Sequence, residues 1–261
     1  IQLSVAPCTW SNHKLNILDT PGYPDFVGEV VSALQAVDAA VILVAAHAGV
    51  EVGTQDSWDF CEARNIPRLI YISKMDRENA DFGRSLVSIQ EAFGSKCVAI
   101  QVPVGSQQGF SGVVGLVDPP GDVPLDVASE VESLRERLIE AVAETDDGLG
   151  TKYLEEEKIS QEELISALKR SVLSGEIVPV LAGAATKSSG VEDLMNAIVE
   201  ILPSPAEVPD AQATKPGGNE QITLKADPSG PLAALVFKTK ADPFVGKLSY
   251  FRVVSGTVHS D

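Results

Sequence analysis

Cysteine is scarce in this chain. Cys8, Cys61 and Cys97 are too few, too widely spaced and odd in number for a disulfide framework or a zinc site, so a reducing cytosol is the natural setting. Long apolar runs are also missing: no stretch approaches the roughly 18 residues that a membrane span requires. The most apolar window, residues 39–46, has the length of a buried parallel strand. No signal-peptide pattern stands at the first residues. Cations are in deficit, with 20 Lys and Arg against 37 Asp and Glu and a formal net charge of −17. That balance argues against nonspecific nucleic-acid binding, which needs clustered Lys and Arg against phosphates, and no RNA-binding patch is visible. His13, His47 and His259 are isolated, with no metal-ligand spacing and no nucleophile beside them. Nor does the chain contain Gly-x-x-x-x-Gly-Lys-Ser/Thr, the loop whose backbone N–H groups and lysine cradle phosphates.

What is present is a set of short motifs, each at the end of an apolar run. Asp19-Thr20-Pro21-Gly22 closes Leu15-Asn16-Ile17-Leu18. Ser73-Lys74-Met75-Asp76 closes Arg68-Leu69-Ile70-Tyr71-Ile72, and Gly183-Ala184-Ala185 closes residues 177–182. In an open α/β sheet ligands bind at the carboxyl ends of the strands, where all three would lie. Small side chains in the third motif would let backbone approach a ligand closely.

These residues resemble translation elongation factor G. The likeness runs from Asp19 to Phe26, through Lys74-Met75-Asp76-Arg77 and Ile177-Val178-Pro179-Val180-Leu181. It continues in Phe237-Lys238 and Asp242-Pro243-Phe244-Val245-Gly246-Lys247-Leu248. It covers nearly the whole chain and is closest to the divergent elongation factor G-like paralogues. The resemblance implies an α/β P-loop GTPase-type G domain, truncated at its N-terminus, with an inserted α+β subdomain and then the start of a β-barrel. It implies GTP or GDP and Mg²⁺ as ligands and a ribosomal partner in the cytoplasm, and it gives no reason to expect a membrane. On this likeness Asp19 reaches Mg²⁺ through water, Thr20 and Pro21 shape the turn, and the Gly22 N–H meets the γ-phosphate. Asp76 accepts two hydrogen bonds from the guanine edge, the Lys74 stem stacks over the base, and Met75 lies between them. A backbone N–H of Gly183-Ala184-Ala185 meets the guanine oxygen.

Two positions depart from the family pattern. Tyr23 stands where the family has a His that positions the attacking water; a phenol can hydrogen-bond water but is a poor base. Ser73 replaces an Asn that ties the guanine loop to the phosphate loop, and losing one such bond would lower nucleotide affinity by about 0.5–1.5 kcal/mol. Gly22 is the expected hinge of a second switch, with a helix from about Asp25 to Ala36 as the moving element.

Alternating β-like and helical patterns over residues 1–96 indicate the first part of a G domain. Strands are expected at 1–10, 13–18, 38–45 and 68–72, with a hairpin turn at Ser11-Asn12-His13. Phe82, Leu86, Ile89 and Phe93 have helical spacing. Residues 97–176 form the inserted subdomain, with strands at 97–104 and 113–117 and two helices announced by Ser129/Glu132 and Ser160/Glu163. Residues 177–205 resume the G domain, with a helix capped by Ser189 and Glu192. Residues 206–229, rich in Pro, Gly, Ala and Asp, read as a linker. Residues 230–261 alternate as the incomplete start of a β-barrel, with Leu232, Ala234 and Val236 on one face.

The expected whole is a fragment of an elongation factor G-like GTPase whose full protein hydrolyses GTP on the ribosome during translocation. The fragment alone is expected to be inactive. The alternatives are a ribosome-protection or stress factor, or a GTP-binding regulatory module with negligible turnover.

Overall fold

The structure is a computed structural model that describes residues 2–215 and 217–260; Ile1, at the head of the first expected strand, Pro216, in the expected linker, and Asp261 lie outside the described residues. Contacts divide the chain into two compact units, residues 7–15 with 39–202 and residues 1–6 with 16–38 and 203–261.

The chain opens with β1 (Ser4–Trp10) and β2 (His13–Asp19), which pair as a two-stranded sheet. Ser11 and Asn12 between them have φ of 43° and 62°, the paired left-handed conformation of a tight hairpin turn. A short 3-10 turn at Pro24–Phe26 leads into α1 (Val27–Leu34), so the expected helix is shorter at both ends and begins as a tighter turn.

The larger unit is built on β3 (Ala40–Ala45), followed by α2 (Val52–Ala63), β4 (Arg68–Ser73) and α3 (Phe82–Phe93). Then come β5 (Cys97–Ala99), β6 (Gln101–Val104) and β7 (Gly112–Gly115). Helices α4 (Ala128–Ala143), α5 (Asp147–Leu154) and α6 (Gln161–Ser174) precede β8 (Val178–Ala182) and α7 (Val191–Glu200). Strands β3, β4, β8 and β5 lie side by side in that order, all parallel. Their residues Leu69, Ile70, Ile72, Val180 and Leu181 are fully buried. Each such side chain is worth roughly 1.5–3 kcal/mol of hydrophobic stabilisation, which explains the near-continuous apolar runs in β4 and β8. Leu43 of β3, at one end of the sheet, is 62% exposed.

Several sequence expectations need correction here. The single strand expected over 97–104 is two, because the chain changes sheet at Ile100. Its N–H still bonds Val180 O at 3.0 Å, while its C=O accepts from Leu116. β5 then stays with β8, and β6 pairs antiparallel with β7. Ser129 does not cap α4: buried Val127 takes the N-cap position, and the helix begins one residue before Ser129. Ser160 and Glu163 do form the expected capping box on α6. A third helix, α5, stands between the two expected ones, capped by the Asp146 carboxylate on the Leu149 N–H at 3.0 Å. Ser189 does not cap α7, because its backbone is paired with Ala184 and Gly190 takes the N-cap at φ 75°.

In the smaller unit, the segment expected as a linker holds a hairpin, β9 (Ala211–Thr214) with β10 (Gln221–Leu224). A longer hairpin follows, β11 (Ala233–Asp242) with β12 (Gly246–Ser255). Its tip is fixed by Asp242 Oδ1, which accepts the N–H groups of Phe244 at 2.9 Å and Val245 at 3.1 Å. Within this unit Lys238 Nζ donates to Glu29 Oε2 at 2.8 Å and to Leu3 O at 3.1 Å. Glu29 Oε2 also accepts the Leu3 N–H at 2.9 Å. Arg252 pairs with Asp38. α1 is thus bracketed by two ion pairs to the β11–β12 hairpin. No helix among the described residues is long and apolar enough to cross a membrane.

Candidate functional site

In the larger unit, the carboxyl ends of β4 and β8 carry two loops that the structure joins. Gly183, just past β8, makes the junction: its N–H bonds Ile72 O at 3.0 Å, and its C=O accepts the Met75 N–H at 3.2 Å. A Cβ at Gly183 would lie 2.0 Å from the Tyr71 hydroxyl and 2.6 Å from Ser189 O, so the position admits glycine alone. Gly190 is equally constrained, with a Cβ 2.4 Å from Ala182 O.

Ser73 ends β4, and its hydroxyl donates across to Val44 O of β3 at 3.2 Å. Lys74 follows at φ 61°, an uncommon conformation for a non-glycine residue, with its side chain exposed. Met75 is fully buried and Asp76 half-buried. This alternation inserts Met75 into the core as a plug while Lys74 and Asp76 face outward. The Thr186 hydroxyl bonding Asp76, together with nearby Arg77 and Lys187, holds the Asp76 carboxyl below the usual carboxylate range. Asp76 is therefore ionised, an acceptor for two donors.

In the facing loop Gly183 and Ala184 are buried and Ala185 is exposed. The Ala184 N–H is taken by Ser189 O at 2.9 Å. The Ala185 N–H, at the first position of the 3-10 turn Ala185–Lys187, is left as the outward donor. Among the described residues the two loops present a carboxylate acceptor, a lysine stem and a backbone N–H donor, which complement a planar group with neighbouring N–H and C=O groups.

Asp19, Thr20, Pro21, Gly22 and Tyr23 belong to the smaller unit. Asp19 ends β2 with its side chain exposed; Thr20 and Pro21 are half-buried. Tyr23 is 68% exposed and stands at the N-cap of the 3-10 turn, its C=O accepting from Phe26. Gly22 is not at positive φ, and a Cβ there would meet nothing within 4 Å. This conformation therefore does not itself demand glycine, and the expected hinge is not forced by it. No group of three or more His, Cys, Asp or Glu side chains among the described residues could hold a metal ion by itself. Asp19 fits Mg²⁺ in the way that suits this ion, as one carboxylate among waters and phosphate oxygens.

Sequence reasoning missed Tyr71, Gln107, Thr186 and Lys187. Thr186 and Lys187 follow the 183–185 motif directly and were within reach of a longer reading of that loop. Tyr71 is buried, its hydroxyl has no hydrogen-bond partner among the described residues, and burial pushes its pKa up to about 12. It forms the floor beneath Gly183.

A parallel sheet with loops gathered at its strand ends is the arrangement of an open α/β ligand-binding domain. Residues 1–204 match the family model of the elongation factor Tu GTP binding domain. A crystal structure of a protein from Thermus thermophilus is 32% identical with a TM-score of 0.82, covering 98% of this chain and 37% of its own. The chain belongs to the translational GTPases, in the elongation factor G-like family. It spans little more than a third of the length of that relative.

Proposed function

We propose that this chain is part of an elongation factor G-like protein that binds GTP with Mg²⁺ and hydrolyses it to GDP and phosphate on the ribosome, in the cytoplasm, during translocation. Residues 1–96 and 177–205 belong to its G domain, 97–176 to an inserted subdomain, and 230–261 to the start of a β-barrel. The observation that carries the reading is the double backbone bond of Gly183 to Ile72 and Met75, which fixes the two base-reading loops to one another. In that frame Asp76 accepts the guanine ring N–H and the exocyclic amine. The Lys74 stem covers the base, and the Ala185 N–H meets the guanine carbonyl. Adenine presents a bare ring nitrogen where Asp76 needs a donor, a mismatch worth several kcal/mol in a buried site. Asp19 holds a Mg²⁺-bound water, and the Gly22 N–H meets the γ-phosphate; Mg²⁺ there neutralises charge that develops on the phosphate oxygens.

The Asp76→Asn variant of the full-length protein tests the assignment. Xanthine has a carbonyl where guanine has its amine, and an amide can donate to that carbonyl whereas a carboxylate cannot. Competition binding should shift from GDP toward XDP; an unchanged guanine preference would show that Asp76 does not read the base.

The change from His to Tyr at position 23 supports a second reading, a ribosome-protection or stress factor in place of a routine translocase. Substitution of the full-length protein for the housekeeping factor in a translation assay separates the two.

A further inference from the structure

Thr186 and Lys187 have no role in the scheme above, yet their contacts converge on the base-reading carboxylate. Thr186 Oγ1 donates to Asp76 Oδ2 at 2.6 Å. The turn that carries Thr186 is held from both sides. Ala184 and Ser189 exchange backbone hydrogen bonds of 2.9 and 3.2 Å across its base. Lys187 Nζ donates to Phe110 O at 2.9 Å and to Gln108 O at 3.2 Å.

The loop that receives Lys187 also holds the other base-reading loop, because the Gln107 N–H bonds Met75 O at 2.8 Å. It is itself rigid. Phe110 anchors it at 2% exposure, and Gly105, at φ +72°, lets the chain close so tightly that a Cβ would lie 2.3 Å from Gly109 O. Residues 105–110 therefore clamp Met75 on one side and the Thr186 turn on the other.

We propose that Thr186 is a positioning residue for guanine specificity: its hydroxyl fixes the plane of the Asp76 carboxylate, and the 105–110 clamp fixes Thr186 through Lys187. This rests on Asp76 reading guanine. The terminal torsion of an aspartate is broad, so a solvent-facing carboxylate left alone samples many planes and must be ordered when the base arrives. A carboxylate oxygen has two lone-pair sites, so Oδ2 accepts from Thr186 and from the base together. Ala184 and Ala185, at the head of the same loop, have no side-chain donor to take this place.

The test uses the full-length protein and displacement of a fluorescent GDP analogue by GDP, IDP and XDP. IDP lacks the exocyclic amine, so its competition against GDP reports how well both carboxylate oxygens are aimed. Thr186→Val, which keeps shape and loses the hydroxyl, should weaken GDP by a factor of about 3 to 10, the worth of one hydrogen bond. It should also narrow the preference for GDP over IDP. Thr186→Ser should restore both. A Thr186→Val protein with wild-type GDP affinity and wild-type GDP-over-IDP preference overturns the proposal, as does Thr186→Ser behaving like Thr186→Val. Asp76→Asn run in parallel separates the failures. If it moves binding toward XDP while Thr186→Val changes nothing, only the positioning role falls. If it does not, the reading of Asp76 falls and this inference with it.

Discussion

The Tyr71 hydroxyl lies directly under the Cα of Gly183, so close that a methyl group on Gly183 would sit 2.0 Å from the phenol oxygen. Contact between a strand residue and the loop after the neighbouring strand sets the height of the 183–185 backbone.

Gly183→Ala should therefore displace the loop and weaken guanine-nucleotide binding by the full-length protein at least tenfold, about 1.4 kcal/mol. Tyr71→Phe should not rescue it, because the added Cβ would still lie 2.6 Å from Ser189 O and 2.9 Å from the ring carbon Cζ. Alone, Tyr71→Phe removes a buried hydroxyl that has no partner among the described residues, and should raise stability by up to about 1 kcal/mol. Thermal denaturation of the single and double variants, with GDP titrations alongside, checks all three statements. Rescue of Gly183→Ala by Tyr71→Phe would mean that the phenol oxygen alone sets the loop's height.

Tyr23 stands exposed at the head of a 3-10 turn, where the family carries His. General acid–base and positioning effects are typically worth about 10²–10⁴-fold. In the full-length protein Tyr23→His should raise the proposed ribosome-stimulated hydrolysis by at least about tenfold, a low bound on that range, with little change in GTP affinity. Single-turnover hydrolysis with excess ribosomes measures it. Equal rates, or a faster wild type, would make Tyr23 a packing residue of the switch and move the cause of divergence elsewhere.

Lys238, and then the Leu3 N–H, hold the Glu29 carboxyl below its ordinary value. A depressed folded-state value means that stabilisation is fully present above the unfolded-state value, near 4.5, and is lost as the pH falls through the lower folded-state value. Glu29→Gln should cost about 1–2 kcal/mol at neutral pH, because the ion pair is only partly shielded from solvent. Melting curves of wild type and variant should converge as the pH drops below 4.5. A constant difference down to pH 3 would show that packing, not charge, is what Glu29 supplies.

The strand-end motifs were legible because each is a run of particular side chains at the end of an apolar strand, and strand ends are where a parallel sheet exposes its loops. The Ser160 cap was legible for a similar reason, since hydroxyl and carboxylate stand at a fixed spacing. The clamp was not. Its bonds end on the carbonyls of Met75, Gln108 and Phe110, and a backbone acceptor leaves no mark on residue identity. The Ser129 spacing looked like a cap equal to Ser160, but Val127 is buried and sets the helix start through packing. Helix α5 is short and carries two glycines, so its propensity is weak; the Asp146 cap and burial of Leu149 stabilise it. The change of sheet at Ile100 comes at the end of the apolar run 97–100, directly before Gln101, and periodicity carries no information about the partner strand.

Strand β3 terminates the four-stranded sheet among the described residues, and its six residues Ala40–Ala45 contain neither charge nor proline. With Leu43 turned 62% outward and no charge or proline in the strand, this border lacks two of the devices that ordinarily discourage strand recruitment. The 261-residue polypeptide handled by itself should consequently be prone to edge-to-edge self-association as concentration rises. Leu43→Lys would act as a gatekeeper, making the 261-residue polypeptide easier to keep dispersed without touching the 73–76 and 183–187 loops.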